Sequence, residues 1–333
     1  MEQAYLVFAS SRYTDMRDAL CQRPGMTCGE VKRLHFPDGE RYQQIIDDIA
    51  AHDVVLIGGT VSDTDTLEMY DLACTLVDGG ARSLTLAIPY FGYSTMERAV
   101  HRGEVVTAKT RARLFSAIPR ASEGNRVLLF DLHSEGIPYY FEGSFRPLHV
   151  YCKPIILEAI RSAGGERYVL ASTDTGRSKW VESLASELGV SPASVFKRRL
   201  SGATTEVLWV NGQVAGHKVV LYDDMIRTGS SLLGAAKAYQ KEGASGFSVV
   251  ATHGVFPGDA LKRIQDSGLF DHIICTDTHP RARELASDFL ILKPIDGLLW
   301  ECLQHLRLQG RSGSQSHKDR QRRTGSTVAM TSP

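Results

Sequence analysis

The residues best suited to chemistry lie between two predicted elements in the second half of the chain. An apolar run over residues 219–222 leads into Asp223 and Asp224, and a polar loop follows before a helical pattern begins. The loop consists of Arg227, Thr228, Gly229, Ser230 and Ser231. Backbone N–H groups at a helix N-terminus, hydroxyls and a guanidinium together suit a phosphate dianion.

The two adjacent carboxylates would repel that anion. Asp223 and Asp224 are therefore expected to accept hydrogen bonds from sugar hydroxyls or to hold a divalent cation. The combination predicts a site for a phosphorylated sugar. The alternative is purely structural, with the loop capping a helix and the carboxylates ending a strand.

Two further polar segments directly follow predicted strands. Asp131 and His133 follow the run 127–130, and Asp174 follows the run 168–171. Ligands of open parallel sheets bind at the carboxyl ends of the strands, so these residues are candidate ligand contacts. Asp131 is also suited to orient His133 or to end its strand. A structural His133 that forms a hydrogen bond with a neighbouring loop is the alternative.

Short apolar runs rich in β-branched residues predict the strands that position these groups. The runs cover residues 5–9, 54–57, 84–88, 127–130, 168–171, 219–222, 247–251, 273–275 and 289–292. Continuous apolar runs are typical of parallel sheets, which are buried on both faces. Helical spacing predicts helices over residues 65–78, 107–118, 154–162, 179–188 and 232–242. Strands alternating with helices predict an α/β fold with mostly parallel sheets flanked by helices.

The order of elements occurs twice along the 333 residues. It predicts two domains, residues 1–150 and 151–308, divided near a loop-like segment at 145–147. Residues 309–333 are rich in Ser, Gly, Arg and Thr, which predicts a disordered tail. The basic stretch 318–323 leaves nucleic-acid binding as an alternative, although a solvated tail is favoured.

Composition excludes several classes of protein. Lys plus Arg and Asp plus Glu both total 38, so no global charge favours nucleic acid or a membrane surface. The six cysteines form no CxxC pair, which predicts reduced thiols, no zinc site and a cytoplasmic location. The N-terminus lacks a basic leader region, and no apolar run approaches the ~18 residues of a membrane span. Neither a secretory leader nor a membrane span is expected.

The phosphate-loop segment, residues 218–233, resembles a known motif. It is similar to the phosphoribosyl-binding motif of type I phosphoribosyltransferases and ribose-phosphate diphosphokinases, in which hydrophobic residues precede DD, two hydrophobics and DTGGT. Arg227 stands where these families usually have a third carboxylate, and Ser230 stands where they usually have a second glycine. Glycine adopts such loop geometry at a lower cost than serine.

The first half of the chain distinguishes between these two families. A type I transferase needs only one phosphoribosyl-binding domain, whereas a diphosphokinase has a second domain before it. Residues 36–40, FPDGE, resemble the FxDGE segment of the diphosphokinases. Residues 88–98 resemble their PYFGYxRQDR signature, with Thr95 and Met96 in place of Arg-Gln.

Two further segments indicate one class within the diphosphokinases. EVVTAKT at 104–110 and THGVFPG at 252–258 are most similar to the class II, phosphate-independent enzymes. The chain is identified as a member of the ribose-phosphate diphosphokinases, over about residues 36–294. The resemblance implies two tandem type I phosphoribosyltransferase-like domains, with ATP and ribose 5-phosphate as substrates, Mg²⁺ as cofactor and a homo-oligomeric assembly. No nucleic-acid or membrane partner is expected, because the charges balance and no apolar run is long enough to span a membrane.

The resemblance also implies a role for each candidate residue. Asp223 and Asp224 would bind the ribose hydroxyls, and Arg227 to Ser231 the 5-phosphate. The predicted nucleotide contacts are Phe36, Asp38, Glu40, Glu97 and Arg98. His133 and Asp174 would bind the metal nucleotide. Lys197 and Arg198 lie in a segment that resembles the flexible catalytic loop of these enzymes, and they would bind the transferring group.

Two other functions stay open from the sequence. A catalytically silent homologue acting as a regulatory or scaffolding subunit would retain the fold despite the changes at Thr95, Met96, Arg227 and Ser230. A phosphoribosyltransferase acting on a nucleobase is disfavoured by the extra domain that carries FPDGE.

Overall fold

The computed structural model describes residues 4–201, 204–312 and 330–331. The chain divides into two units, the first comprising Met1–Tyr151 with Asp296–Pro333 and the second Cys152–Ile295. Within the described ranges, no helix is both long and apolar enough to span a membrane.

The described part of the first unit is built on a seven-stranded sheet with the order β16-β8-β7-β6-β5-β1-β2. The strands are β1 (Tyr5–Ala9), β2 (Met26–Cys28), β5 (Asp53–Ile57), β6 (Ser83–Ile88), β7 (Asn125–Phe130), β8 (Phe145–Val150) and β16 (Met330–Thr331). Neighbouring strands are parallel except for the antiparallel pair β16 and β8. The helices are α1 (Thr14–Cys21), α2 (Asp63–Asp78), α3 (Thr107–Ser116) and α9 (Asp296–Ser312).

A separate antiparallel hairpin connects β2 to β5. It consists of β3 (Val31–His35) and β4 (Arg41–Ile45). The FPDGE segment forms the turn between these two strands. Val31 is buried in the core of the unit and Ile45 packs against that core, so the base of the hairpin is anchored by apolar contacts.

The second unit is built on another sheet, with the order β11-β10-β9-β12-β13-β14-β15. Its strands are β9 (Tyr168–Ser172), β10 (Ser191–Ser201), β11 (Thr204–Asn211), β12 (Lys218–Ile226), β13 (Gly246–Gly254), β14 (Phe270–Thr276) and β15 (Leu290–Lys293). All neighbouring pairs are parallel except β10 and β11. Its helices are α4 (Lys153–Gly164), α5 (Ser178–Leu188), α6 (Ser230–Lys241), α7 (Ala260–Asp266) and α8 (Pro280–Glu284).

The predicted α/β fold is confirmed. Each predicted apolar run lies in a strand, except that the run 289–292 begins one residue before β15. Each predicted helix is found with bounds shifted by at most two residues, because continuous apolar runs and 3.6-residue spacing are strong signals. Two predicted loops were wrong. Residues 145–147 begin β8, and Lys197 and Arg198, which were predicted to lie in a flexible loop, belong to β10. An antiparallel hairpin at the edge of a sheet does not require the apolar run that a central parallel strand needs.

The end of the chain also differs from the prediction. Residues 296–308, which were assigned to the second domain, lie in α9 and belong to the first unit. Asp296 accepts hydrogen bonds from Arg23, and Trp300 donates to the Pro24 carbonyl at 3.0 Å. Residues 309–312, predicted as disordered, continue this helix, and Met330–Thr331 pairs with β8. The remaining tail residues, including the basic stretch 318–323, lie outside the described ranges.

The prediction that all cysteines are reduced was wrong for one pair. Cys21 and Cys28 form a disulfide, with Cα atoms 5.7 Å apart. The chain turns back between the end of α1 and β2, and this return places the two side chains together. The cysteines at 74, 152, 275 and 302 are thiols.

This disulfide gives a direct chemical test. Protein purified without reductant and alkylated after unfolding is expected to gain four labels, whereas prior reduction gives six. Intact mass measures the number of labels. Six labels without reduction would show that Cys21 and Cys28 are not joined in the purified protein.

Candidate active site

The candidate phosphate loop connects β12 to α6. Gly229 has φ +79°, the left-handed conformation that favours glycine, and α6 begins at the next residue. A Cβ on Gly229 would also lie 2.6 Å from side-chain carbons of Ile264. Ser230 is the first helical residue, so it does not need the glycine geometry, and the cost expected for serine at this position does not arise.

The loop presents polar groups at the start of α6. Leu233 donates its N–H to the Gly229 carbonyl at 3.0 Å, which closes the first helical turn. Thr228, Ser230 and Ser231 are exposed, and the hydroxyl oxygens of Thr228 and Ser230 lie 3.2 Å apart. The helix dipole and the amides of this turn favour an anion at this position. Arg227, also exposed, adds positive charge to the loop.

The carboxylates lie within β12 rather than after it, because this strand continues to Ile226. Asp224 is 4% exposed and forms an ion pair with Arg177, whose Nε donates to Oδ1 at 3.1 Å. Asp223 accepts a 2.6 Å hydrogen bond from the Thr173 hydroxyl and a 2.9 Å bond from the Asp224 N–H. Burial, and then the adjacent Asp224 carboxylate, raise the pKa of Asp223 well above its usual range.

Asp174 lies beside this pair, because β9 and β12 are neighbouring parallel strands. Its Oδ1 accepts a hydrogen bond from the Gly176 N–H at 2.9 Å and caps a 3₁₀ turn, Thr175–Arg177. Asp174 also contributes, less than burial and Asp224 do, to the raised pKa of Asp223. The structure therefore places Asp174 near enough to Asp223 to affect its pKa, while Arg177 partly neutralises Asp224.

In the first unit, Phe36, Asp38 and Glu40 lie at the tip of the β3–β4 hairpin. The Gly39 N–H donates to the Phe36 carbonyl at 2.9 Å, and the Glu40 N–H donates to the Asp38 carboxylate at 3.0 Å. Phe36 is 48% exposed, and its ring lies 6.3 Å from that of Tyr42 in an edge arrangement. The tip thus presents an accessible aromatic face next to two carboxyl groups.

Glu97 and Arg98 lie in the segment between β6 and α3. The carbonyl oxygen of Glu97 accepts a 2.5 Å hydrogen bond from the Tyr140 hydroxyl, which holds the backbone at this point. The Arg98 side chain is exposed, with Nε 3.6 Å from a carboxylate oxygen of Glu97. The side chain of Arg98 is thus accessible to an anionic ligand.

His133 follows β7, in a loop with an unusual start. Asp131 is buried and has φ +36°, and its N–H donates to the Val150 carbonyl at 3.0 Å. The next amide, of Leu132, donates to His149 Nε2 at 2.9 Å. These bonds fix the backbone that places His133, which is half-buried.

Lys197 and Arg198 have their backbone in β10, but their side chains lie outside the described residues. The described neighbour Phe196 stacks on Trp209 of β11, with ring centroids 4.4 Å apart. This stacking pairs the two strands of the hairpin just before the Lys-Arg pair. The roles of Lys197 and Arg198 stay predictions.

Comparison with known proteins gives consistent matches. Residues 5–118 match the N-terminal domain of ribose phosphate pyrophosphokinase, and residues 190–307 match the phosphoribosyl synthetase-associated domain. A ribose-phosphate pyrophosphokinase of Synechococcus elongatus is 35% identical over 303 residues, covering 89% of both chains. One from Vibrio vulnificus is 32% identical and covers 90% of this chain and 95% of its own.

This chain belongs to the ribose-phosphate pyrophosphokinase family. The family and the transferase class inferred from the sequence are thereby confirmed. The crystal structure of phosphoribosylpyrophosphate synthetase from Mycobacterium smegmatis has the same fold, with a TM-score of 0.81, 22% identity and coverage of 92% of this chain and all of that one.

Two residues at the site of this ribose-phosphate pyrophosphokinase family member were not predicted from the sequence. Thr173 and Arg177 form hydrogen bonds with Asp223 and Asp224. Both follow β9, as Asp174 does, so their position after this predicted strand was a usable signal. What the sequence could not provide was the pairing of β9 with β12, which aligns Ser172 with Tyr222.

Proposed function

We propose that this chain transfers the diphosphoryl group of ATP to the anomeric hydroxyl of ribose 5-phosphate. The hydroxyl oxygen attacks the β-phosphorus, the bond from that phosphorus to the oxygen bridging to the α-phosphate breaks, and AMP leaves. The observation that carries this proposal is the Gly229 loop at the start of α6, next to the Asp223–Asp224 pair, in a chain of this family.

The second unit supplies the ribose 5-phosphate contacts in this proposal. The 5-phosphate binds the amides and hydroxyls of Thr228, Gly229, Ser230 and Ser231, with Arg227 adding charge. The ribose 2- and 3-hydroxyls donate to Asp223 and Asp224. The bonds from Thr173 and Arg177 hold both carboxylates in place before the sugar arrives, which lowers the entropic cost of binding.

The hairpin tip supplies the base contacts. The exposed ring of Phe36 stacks on adenine, and Asp38 and Glu40 accept from its amino group. Glu97 and Arg98 provide further nucleotide contacts. Carboxylates that accept from an exocyclic amine favour a base with an amino group over one with a carbonyl at that position.

Magnesium is part of the proposal. Among the described residues, no group of three or more metal-ligating side chains is found. Mg²⁺ bound to a nucleotide keeps water and phosphate ligands and needs only one or two protein groups, so the single carboxylate of Asp174 suits this cation. Asp174 and His133 are the proposed contacts, and the bound cation would neutralise phosphate charge.

Lys197 and Arg198 are proposed to stabilise the charge that develops on the transferring group. Such transfer depends mainly on alignment and on well-placed cations, so no covalent nucleophile is required. A homo-oligomeric assembly and a cytoplasmic location also stay proposals.

An assay of AMP release tests this function. Purified full-length protein with Mg²⁺, ATP and ribose 5-phosphate is expected to release AMP and phosphoribosyl diphosphate in equal amounts. Omission of either substrate, or chelation of the metal, stops the release. Turnover in phosphate-free buffer would support the class II subtype. No turnover with any divalent cation, with or without phosphate, would favour the silent regulatory subunit.

A further inference from the structure

A buried carboxylate that the proposed chemistry does not use lies beneath the FPDGE hairpin. Glu68 is on α2, and its side chain is 2% exposed. Five groups from other parts of the first unit approach its two oxygens. We propose that Glu68 is a positioning residue for the nucleotide, which acts through the hairpin that carries Phe36, Asp38 and Glu40.

The Glu68 cluster consists of Glu68 and the residues that approach it, which are Ser11, Arg33, Arg41 and Gln43. Ser11 donates its N–H at 3.0 Å and its hydroxyl at 2.6 Å to Oε1. Arg33 Nε and Gln43 Nε2 donate to the same oxygen at 3.0 and 3.1 Å. Arg41 Nη1 lies 3.3 Å from Oε2. Three of the four partners therefore come from the hairpin.

The three hairpin residues share one face. Arg33 pairs with Gln43 across the two strands, and Arg41 is two residues before Gln43. Side chains two residues apart on a strand point to the same side, so this face is directed towards α2. The opposite face carries Leu34 and Tyr42, both of which are exposed. The cluster therefore fixes which face of the hairpin is held against α2.

The cluster holds the half of the hairpin near its tip. The base is anchored by Val31 and Ile45, whereas Arg41 directly follows Glu40, the last residue of the turn. Further bonds run from Arg41 to the Thr64 carbonyl at 3.2 Å and from Arg33 to the Ala9 carbonyl at 2.5 Å. Removing the carboxylate releases the charged side chains that orient the turn.

The charges make this role specific to a carboxylate. Glu68 carries one negative charge against two guanidinium groups, and charge-assisted bonds are about twice as strong as neutral ones. Glutamine keeps the shape of the side chain but loses this charge and turns one acceptor into a donor facing Arg41 or Arg33. Glu68→Gln therefore weakens the bonds between α2 and the hairpin, with little change in side-chain volume.

The test rests on the proposed function and measures the two substrates separately. Glu68→Gln is expected to raise the KM for ATP by about tenfold, which corresponds to about 1.4 kcal/mol, the value of one charge-assisted bond. The KM for ribose 5-phosphate should change by less than about twofold, because the proposed ribose-binding residues belong to the other unit. Asp78→Asn, at the exposed end of the same helix, is the matched control with unchanged constants.

A second measurement does not need activity. Hydrogen exchange of peptides covering residues 36–40 should be faster in Glu68→Gln than in the wild type and in Asp78→Asn. If the wild type lacks turnover, the proposed function fails, while exchange still tests the positioning role. If Glu68→Gln does not fold, Gln43→Met removes one neutral donor and should produce a smaller ATP-specific effect.

The inference is overturned by either of two results. One is an unchanged KM for ATP together with unchanged exchange at the hairpin tip. The other is an equal rise in the KM of both substrates, which is what a general change in the structure of the folded protein would produce.

Discussion

Asp224→Asn is expected to lower kcat/KM for ribose 5-phosphate by about 10³-fold, because bonds from ribose hydroxyls to a buried carboxylate are charge-assisted and worth several kcal/mol together. The carboxylate is 4% exposed and held by Arg177, so water cannot readily replace the lost acceptor. The KM for ATP should stay within about twofold, since the predicted base contacts lie in the other unit. Initial rates with each substrate varied in turn measure both constants.

A double variant separates binding from stability. Asp224→Asn removes the carboxylate that forms an ion pair with the Arg177 guanidinium, which is 22% exposed, and loss of one charge from a largely buried pair is destabilising. Adding Arg177→Met removes the remaining charge, so thermal stability should recover in part while ribose 5-phosphate kinetics stay impaired. Asp288→Asn, an exposed residue of the same unit, is the control. Recovery of activity along with stability would contradict a direct role of Asp224 in binding the sugar.

The strands that could be predicted from the sequence are those that are buried on both faces. The strands β5, β6, β12 and β13 are covered on both faces, so their sequences are continuous apolar runs that indicate a parallel sheet. The β3–β4 hairpin has alternating half-buried and exposed residues, and its inner face is charged. Its strands therefore lack an apolar signal, although its turn, FPDGE, was recognised.

Site residues that are close together in the sequence could be predicted, whereas those brought together only by the fold could not. The loop at Gly229 and the carboxylates before it form one continuous segment, so residue types and spacing were sufficient to find them. Arg177 and Glu68 depend instead on contacts across strands and between a helix and a hairpin. Charged residues on predicted helices are usually solvated, so nothing in the local sequence distinguished Glu68 from its neighbours on α2.

Gly229→Ala is expected to lower kcat/KM for ribose 5-phosphate by about 10²-fold, the scale associated with a displacement of about 1 Å at a binding site. An L-residue at φ +79° costs about 1–2 kcal/mol. The new methyl group would also lie 2.6 Å from Ile264, which is fully buried and cannot move into solvent. A backbone movement that relieves the strained φ angle or the contact with Ile264 would shift the amides that bind the phosphate.

Gly234→Ala is a matched control on the same helix. Gly234 lies inside α6, and a Cβ there would have no neighbour within 4 Å. Alanine in a helix interior is more stable than glycine by roughly 0.5–1 kcal/mol. This variant should therefore melt at a higher temperature and retain its kinetics, whereas Gly229→Ala should melt at a lower temperature and lose affinity for the sugar phosphate. Similar kinetics in the two variants would show that the loop backbone does not bind the phosphate.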